Sequence, residues 1–197
     1  MIKVEKIKVG FGNRRGNKKN PAIALIKAQK GNFRRIGSGC FGDVFGSDQS
    51  SIVYKTGLVE ENQTYLDFIR RVANLKVHNP YFPKVFGIRI YKDIDESDGD
   101  YDRFVVAMER LAHLKNLEHR RAVDIIDSLL CKYSGGVSEF ESSALGIKVV
   151  VPKVLERAAS LLQRIQDDNR ASFDIHDQNI MLRGNRQLVF TDPFTDD

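Results

Sequence analysis

Apolar and polar residues alternate in the first half of the chain, where short runs separated by glycine-containing turns are typical of β-strands. The pattern predicts strands near 32–37, 42–46 and 51–56. Two further strands are predicted at 84–91 and 103–108. The first half is therefore expected to form a small β-sheet.

Three other segments repeat apolar residues every three or four positions, as on the buried face of an amphipathic helix. They predict helices at 61–76, 117–133 and 152–166. Pro152 suits the first turn of the last helix, because a proline there lacks an N–H that would have no helical partner. The apolar face of the first predicted helix consists of Tyr65, Phe68, Ile69, Val72 and Leu75.

A β-rich half followed by a helical half indicates an α+β fold. We expect an N-terminal extension at 1–31, a β-rich lobe at 32–110 and a helical lobe at 111–197. Within the helical lobe, Ser134–Ser138 contains two glycines and is predicted to be a loop.

An acidic segment runs from Asp93 to Asp102 and contains six Asp or Glu residues. Such a cluster suggests calcium, but its glycine is misplaced for a calcium-binding loop, and strands rather than helices are predicted on either side. The segment is therefore predicted to be the solvated tip of a hairpin.

Charge is distributed unevenly along the chain. Residues 1–35 contain eleven Lys or Arg residues against one acid, Glu5, a balance of +10 in a chain whose total is +5. We expect a solvated arm here, able to contact an acidic protein or nucleic acid through its charge. The alternative is a structural role, with an extra strand at Met1–Val9 and a short helix at Pro21–Gln29 packed on the β-rich lobe.

The composition, 42% apolar over 197 residues, is that of a globular protein. The N-terminus has no continuous apolar region, so neither a signal peptide nor a membrane span is predicted. Cys40 and Cys131 lie far apart without metal-ligand spacing and are expected to be reduced thiols. We therefore expect a cytoplasmic protein.

Glycines between the first two predicted strands form the pattern G-x-G-x-x-G-x-V, made of Gly37, Gly39, Gly42 and Val44. A β-rich run that ends in Lys55 follows. Glycines allow a backbone to approach a phosphate closely, and a lysine on the next strand can grip the same phosphates. The segment is therefore a candidate phosphate-binding element.

Near the C-terminus, Asp174 precedes Asn179 by five positions, and Thr191-Asp192-Pro193 follows. A carboxylate at the first position can take the proton of an attacking hydroxyl, while the amide oxygen of Asn179 and the carboxylate of Asp192 can bind Mg²⁺. This spacing suits a metal-assisted phosphoryl-transfer site.

These motifs resemble those of the protein-kinase superfamily throughout residues 32–194, and more closely the early serine/threonine kinases of short-tailed phages of the T-seven group. The stretches that carry the resemblance are Ala171–Leu182 with Thr191–Pro193, Phe33–Gly37, and Tyr65–Phe68 leading to Pro83–Phe86. The resemblance implies a reduced bilobal kinase-like fold. It also implies a virus-encoded enzyme that uses ATP and Mg²⁺ to phosphorylate host proteins in the bacterial cytoplasm.

The resemblance assigns a nucleotide-binding set, which consists of Gly37, Gly39, Gly42, Val44, Lys55, Glu61, Glu109 and Leu111. The glycines would close over the phosphates, Val44 would cap the adenine, and Lys55 would neutralise the α- and β-phosphates. Glu61 would pair with Lys55, with Glu60 and Asp67 as alternatives. Backbone groups of the link from Glu109 to Leu111 would pair with the adenine edge.

The resemblance assigns the catalytic role to Asp174, with Lys55 and His176 beside it, and the metal-ligand role to Asn179 and Asp192. Asp174 would orient the substrate hydroxyl and accept its proton. His176 occupies the position of a lysine that contacts the transferred phosphate in protein kinases, so it would donate a hydrogen bond there or order the loop.

Two other functions remain open. One is a small-molecule phosphotransferase of the aminoglycoside or choline kinase type, because D-x-H-x-x-N also resembles their catalytic loops. The other is a kinase-like binding module without activity. The sequence ends five residues after Asp192, and either a minimal kinase or a fragment of a longer one fits that ending.

Overall fold

The computed structural model describes residues 5–7, 33–39, 42–95, 99–114, 117–132, 139–142, 147–184 and 186–195. The chain divides into two compact units, one comprising Met1–Leu66 and Lys84–Arg110 and the other Asp67–Pro83 and Leu111–Asp197. Residues 67–83 thus group with the second unit, whereas the sequence assigned them to the β-rich lobe. The presence of both a sheet and helices confirms the α+β class.

The first unit contains a six-stranded sheet. Its strands are β1 (Glu5–Ile7), β2 (Arg34–Gly39), β3 (Gly42–Gly46), β4 (Ile52–Leu58), β5 (Val85–Asp95) and β6 (Gly99–Glu109). They lie in the order β1-β5-β6-β4-β3-β2. β1 pairs parallel to β5, and the other neighbours are antiparallel. The sheet therefore places the middle of β4 between β3 and β6.

The acidic segment belongs to the predicted hairpin, but its strands run further into the segment than expected. β5 extends to Asp95 and β6 begins at Gly99, with Asp93 opposite Tyr101 and Ile94 opposite Asp100. Backbone pairing within the long hairpin outweighs the low strand propensity of aspartate, because the ladder hydrogen bonds form whatever the side chain is.

The basic N-terminal segment begins with a strand rather than with a free arm. Glu5, Lys6 and Ile7 stand opposite Arg89, Ile90 and Tyr91 of β5, respectively. The alternative of a strand within Met1–Val9 is therefore correct over these three residues. The predicted helix at Pro21–Gln29 lies outside the described residues.

A 3₁₀ turn at Glu60–Asn62 leads into α1 (Gln63–Ala73). Tyr65, Phe68, Ile69 and Val72 are buried, which confirms the predicted apolar face. Leu75, also predicted on that face, lies beyond the helix end and is 37% exposed. The observed helix is therefore shorter at both ends than the predicted 61–76.

The second unit has two further helices, α2 (Leu117–Lys132) and α3 (Lys153–Asn169), close to their predicted bounds. Its hairpin strands are β7 (Glu139–Ser142), β8 (Ile147–Val150), β9 (Ser172–Phe173), β10 (Ile180–Arg183), β11 (Gln187–Phe190) and β12 (Phe194–Thr195). The sequence did not predict β7 and β8, and the Ser134–Ser138 loop lies outside the described residues. Within the described part of the chain, no helix is long and apolar enough to cross a membrane.

Aromatic packing fixes the C-terminal hairpins of the second unit. The rings of Phe68 and Phe82 are 5.7 Å apart, and Phe82 also contacts Phe190 at 6.2 Å. Phe194 stacks on Phe173 at 5.7 Å and contacts Phe68 at 6.1 Å. Each aromatic pair adds about 0.5–1.5 kcal/mol beyond the burial of its area, so this cluster holds the segment that carries Asp174 and Asp192.

Candidate functional site

The glycine motif forms the hairpin of β2 and β3 in the first unit. Gly37 stands opposite Val44 and Gly39 opposite Gly42, and residues 40 and 41, between the two strands, lie outside the described residues. The predicted glycine hairpin is therefore present, and its three motif glycines all lie on the paired strands.

The glycines differ in what a side chain would meet. A Cβ at Gly42 would lie 2.3 Å from the backbone oxygen of Thr56 on β4, so glycine is needed there for strand packing. A Cβ at Gly39 would meet nothing within 4 Å among the described residues, and one at Gly37 would meet only the Cβ of Val44 at 3.8 Å. Packing therefore explains Gly42 but gives no reason for glycine at 37 or 39.

Lys55 lies in the middle of β4, opposite Val44 on one side and Val106 on the other. Its Nζ lies over the ring of Tyr65, 3.7 Å from the ring centroid. Glu61 is exposed within the 3₁₀ turn, and its pairing with Lys55 stays a prediction. The contact of Tyr65 with Lys55 was not predicted, because it depends on how α1 packs against β4.

The link expected to pair with adenine starts at the end of β6. The Glu109 N–H donates to the Lys84 backbone oxygen at 3.0 Å, and the Glu109 carboxylate accepts the Lys84 N–H at 2.7 Å. The Arg110 N–H donates to the Ser51 backbone oxygen at 2.7 Å. The N–H groups of Glu109 and Arg110 are therefore both occupied, and the pairing of this link with adenine stays a prediction.

In the second unit, α3 leads directly to the predicted catalytic loop. It ends at Asn169, and the capping residue Arg170 has a left-handed backbone (φ 55°) that turns the chain so that the next N–H, that of Ala171, also donates to the Gln166 backbone oxygen, at 3.2 Å. β9 then pairs with β12, and the Asp174 N–H donates to the Pro193 backbone oxygen at 2.9 Å. The helix end and this two-stranded pairing together fix the position of the Asp174 backbone.

Asn179 is bound to Asp174 through its side chain. The Nδ2 of Asn179 donates to the Asp174 carboxylate at 2.8 Å and to the Asp174 backbone oxygen at 3.0 Å. These bonds use the amide nitrogen, so the amide oxygen is the atom of Asn179 that can bind a cation. The structure thus brings the first two residues of the predicted constellation into direct contact.

The Thr191–Pro193 segment is tied to the same loop. The backbone oxygen of Asn179 accepts the Thr191 N–H at 2.9 Å, the Thr191 hydroxyl at 2.8 Å and the Asp192 N–H at 3.4 Å. Three donors on one oxygen fix the start of the Asp192 segment relative to Asn179. Thr191 was quoted in the motif without a role of its own. A hydroxyl residue just before Asp192 was the only available signal.

His176 lies inside the turn between Asp174 and Asn179. The Gln178 N–H donates to Nδ1 at 3.1 Å, while Nε2 lies 3.4 Å from the Asp174 carboxylate. Both contacts favour the tautomer that carries its proton on Nε2. The Asn179 Nδ2, 2.9 Å from the same Nε2, directs its two hydrogens to Asp174 instead. This arrangement favours the loop-ordering role over contact with the transferred phosphate.

The residues present fit a magnesium ion. Asn179 offers an amide oxygen and Asp192 a carboxylate, and Mg²⁺ is usually bound by one or two protein oxygens together with water and substrate phosphates. No group of three or more His, Cys, Asp or Glu side chains suited to a metal occurs among the described residues. A fully protein-ligated centre is therefore not what this part of the chain presents.

No protein-family model and no curated protein sequence matches the chain. A solved structure, the ternary complex of streptomycin, ATP and APH(2")-IIa, is similar with a TM-score of 0.43. The two chains are 14% identical, and the similarity covers 92% of this chain and 75% of that chain. Identity and TM-score are both too low to transfer the fold or the activity of that protein to this one.

Proposed function

We propose that this protein is an ATP-dependent phosphotransferase that moves the γ-phosphate of ATP to Ser or Thr hydroxyls of proteins. The observation that supports it most is the hydrogen-bonded unit of Asp174, Asn179 and the Asp192 segment. Packing alone gives no reason for the Asn179 amide to hold the partly exposed Asp174 while the Asn179 backbone binds the Asp192 segment. A proton acceptor placed beside two metal ligands gives such a reason.

In the proposed reaction, Asp174 orients the acceptor hydroxyl and accepts its proton. The hydroxyl oxygen forms a bond to the γ-phosphorus, the bond between that phosphorus and the β–γ bridging oxygen breaks, and ADP leaves with the electron pair. Nε2 of His176 lies 3.4 Å from the Asp174 carboxylate, where it would help to orient it. Mg²⁺ bound by Asn179 and Asp192 would neutralise phosphate charge.

The first unit supplies the groups proposed to bind the nucleotide. Gly37 and Gly39 leave their backbone accessible to phosphate oxygens, and Lys55 supplies a positive charge. The assignments of Val44, Glu61, Glu109 and Leu111 to the nucleotide remain part of the proposal.

Exposure at the catalytic loop supports a protein acceptor. The side chains of Asp174 and His176 are 41% and 42% exposed, respectively. Small-molecule sites usually enclose 70–90% of their ligand. A serine on the surface of a protein substrate needs no such enclosure and can reach an exposed loop. The resemblance to phage kinases further supports host bacterial proteins as substrates and the host cytoplasm as the location.

A panel of acceptors tests the proposal. The purified protein, Mg²⁺ and γ-labelled ATP are incubated separately with a bacterial extract, an aminoglycoside and choline. We expect label on Ser and Thr of proteins and none on the small molecules. Label found only on a small molecule would contradict the protein acceptor and support a small-molecule phosphotransferase. Absence of label on every acceptor would contradict phosphotransfer itself.

A further inference from the structure

We infer that Tyr65 is the positioning residue for Lys55, whose ammonium it holds against the face of its ring. The inference rests on the proposed function, in which Lys55 binds the phosphates of ATP. The contact lies wholly within the first unit, where Nζ is 3.7 Å from the ring centroid. Cation–π attraction acts within about 6 Å of a ring centroid, so the two groups are well inside its range.

The strand geometry confines the stem of Lys55. Directly opposed residues on neighbouring antiparallel strands share a face of the sheet, so Val44 and Val106 flank Lys55 on its own face. Gly57 follows on that face two positions later and stands opposite Phe104. Because Gly57 has no side chain, the face beside Lys55 leaves room for a ring from α1.

The ring of Tyr65 is itself held rigidly. Tyr65 is 4% exposed, and its ring packs on Phe104 with centroids 5.7 Å apart and planes inclined by 40°. Phe104 is fully buried. The partly buried Lys55 therefore meets an aromatic face that is fixed by both the helix and the sheet.

This arrangement has a chemical advantage for binding phosphate. Lys has a flexible four-carbon stem that loses about 2 kcal/mol of rotamer freedom when it is fixed. If the ring restricts Nζ before ATP arrives, part of the rotamer entropy of Lys55 is already lost in the free protein and does not reduce the affinity for ATP. A ring attracts the ammonium without carrying a formal negative charge of its own.

A magnetic resonance measurement tests the contact itself. A methylene group above a ring is shielded, so we expect the ε-methylene protons of Lys55 to be shifted upfield relative to exposed lysines. The shift should persist in Tyr65→Phe, which keeps the ring, and vanish in Tyr65→Leu. Phe68→Leu, which removes a buried ring elsewhere on α1, should leave it unchanged. Persistence of the shift in Tyr65→Leu would overturn the inference.

Nucleotide binding separates positioning from folding. We expect Tyr65→Leu to raise the Kd of Mg–ATP about 3- to 20-fold and Tyr65→Phe to stay within about twofold. In a Lys55→Met background the leucine variant should add no further loss, because its effect acts through the ammonium. An equal loss in that background, or a phenylalanine variant as weak as leucine, would show a merely structural role.

The two claims can fail separately. If the wild-type protein shows the shielded Lys55 protons but transfers no phosphate to any acceptor, the proposed function fails while the contact stands. If it transfers phosphate and the Tyr65 variants bind Mg–ATP as tightly as wild type, the positioning role fails while the proposed function stands.

Discussion

At the scale of single residues, Asp174 is held by two neighbours whose effects differ. Asn179 donates to it through an amide nitrogen at 2.8 Å, which leaves the amide oxygen for a metal, and His176 faces the other carboxylate oxygen at 3.4 Å. In the proposed site, Asn179 therefore links the base Asp174 to a metal ligand, while His176 lies where it can orient that base. Substitutions at Asp174 and at the metal ligands should consequently act at different steps.

Asp174→Asn should reduce phosphate transfer by about 10²–10⁴-fold and leave the Kd of Mg–ATP within about twofold, because it removes a proton acceptor and no metal ligand. Asp192→Asn should instead weaken Mg-dependent binding of ATP by about tenfold or more, because it removes a ligand oxygen. Calorimetry with and without Mg²⁺ distinguishes the two. Equal losses of ATP affinity in the two variants would contradict the assigned roles.

The glycine hairpin gives a second residue-scale prediction. Gly42→Ala should lower the free energy of unfolding by about 1–3 kcal/mol, because the added Cβ would lie 2.3 Å from the Thr56 oxygen. Gly39→Ala should leave stability within about 1 kcal/mol and raise the KM for ATP about tenfold, equivalent to about 1.4 kcal/mol.

Gly39→Ala is informative because the described residues leave open space at that position. A thermal melt gives the stability difference, and initial rates at varied ATP concentration give KM. An unchanged KM in folded Gly39→Ala would remove the hairpin from the nucleotide-binding elements.

At the scale of elements, a polar cluster joins the C-terminal half of α1 to the end of α3 within the second unit. Asp67 accepts hydrogen bonds from Arg71 at 3.1 Å and from Asn169 at 2.9 Å, and Arg71 also donates to Asp168 at 2.8 Å. The hydrogen bond to Asp67, then the one to Asp168, raises the pKa of Arg71. The cluster fixes the helix end from which the chain enters the Asp174 loop.

Asp67→Ala should lower the free energy of unfolding by about 1–2 kcal/mol, because Arg71 and Asn169 lose a shared acceptor. Asp48→Ala is the matched control. Asp48 bridges Arg34 at 2.9 Å and lies 3.8 Å from Arg110, but its own side chain is 71% exposed, so its loss should change stability by no more than about 0.5 kcal/mol. Denaturant titration measures both. Similar values for the two variants would show that the cluster contributes no more than a surface ion pair.

At the scale of the whole molecule, the sequence was most informative where the chemistry is local. The spacing of Asp174 and Asn179 fixes a turn whose hydrogen bonds close within six residues, and the apolar face of α1 follows directly from its period. The contact of Tyr65 with Lys55 depends on packing between a helix and a strand, which no local pattern encodes. The acidic hairpin was predicted, but its strands were placed too short, because composition does not show how far the backbone pairing of β5 with β6 extends.

The basic segment at 1–35 was expected to be a solvated arm. Of its described residues, Arg34 and Arg35 begin β2, and Glu5–Ile7 form an edge strand paired with β5. We propose that the charges beyond this strand contact an acidic protein or nucleic acid. Replacing Arg14, Arg15, Lys18 and Lys19 with Gln should leave the melting temperature unchanged and weaken binding to polyglutamate and to an oligonucleotide, most of all at low salt.

Deleting residues 1–7 is the contrasting variant. It should lower the melting temperature by a few degrees because β5 loses its neighbouring strand. If the glutamine variant bound both anionic probes as tightly as the wild type, the four charges would only solvate the segment and would not bind a partner.

The most direct test of the central claim is mass spectrometry of a bacterial extract incubated with ATP, Mg²⁺ and either the wild-type protein or Asp174→Asn. The account predicts new phosphoserine or phosphothreonine sites with the wild type, which disappear with Asp174→Asn and when Mg²⁺ is chelated. Equal phosphorylation by the variant and the wild type, or none by a folded wild-type protein that binds Mg–ATP, would contradict it.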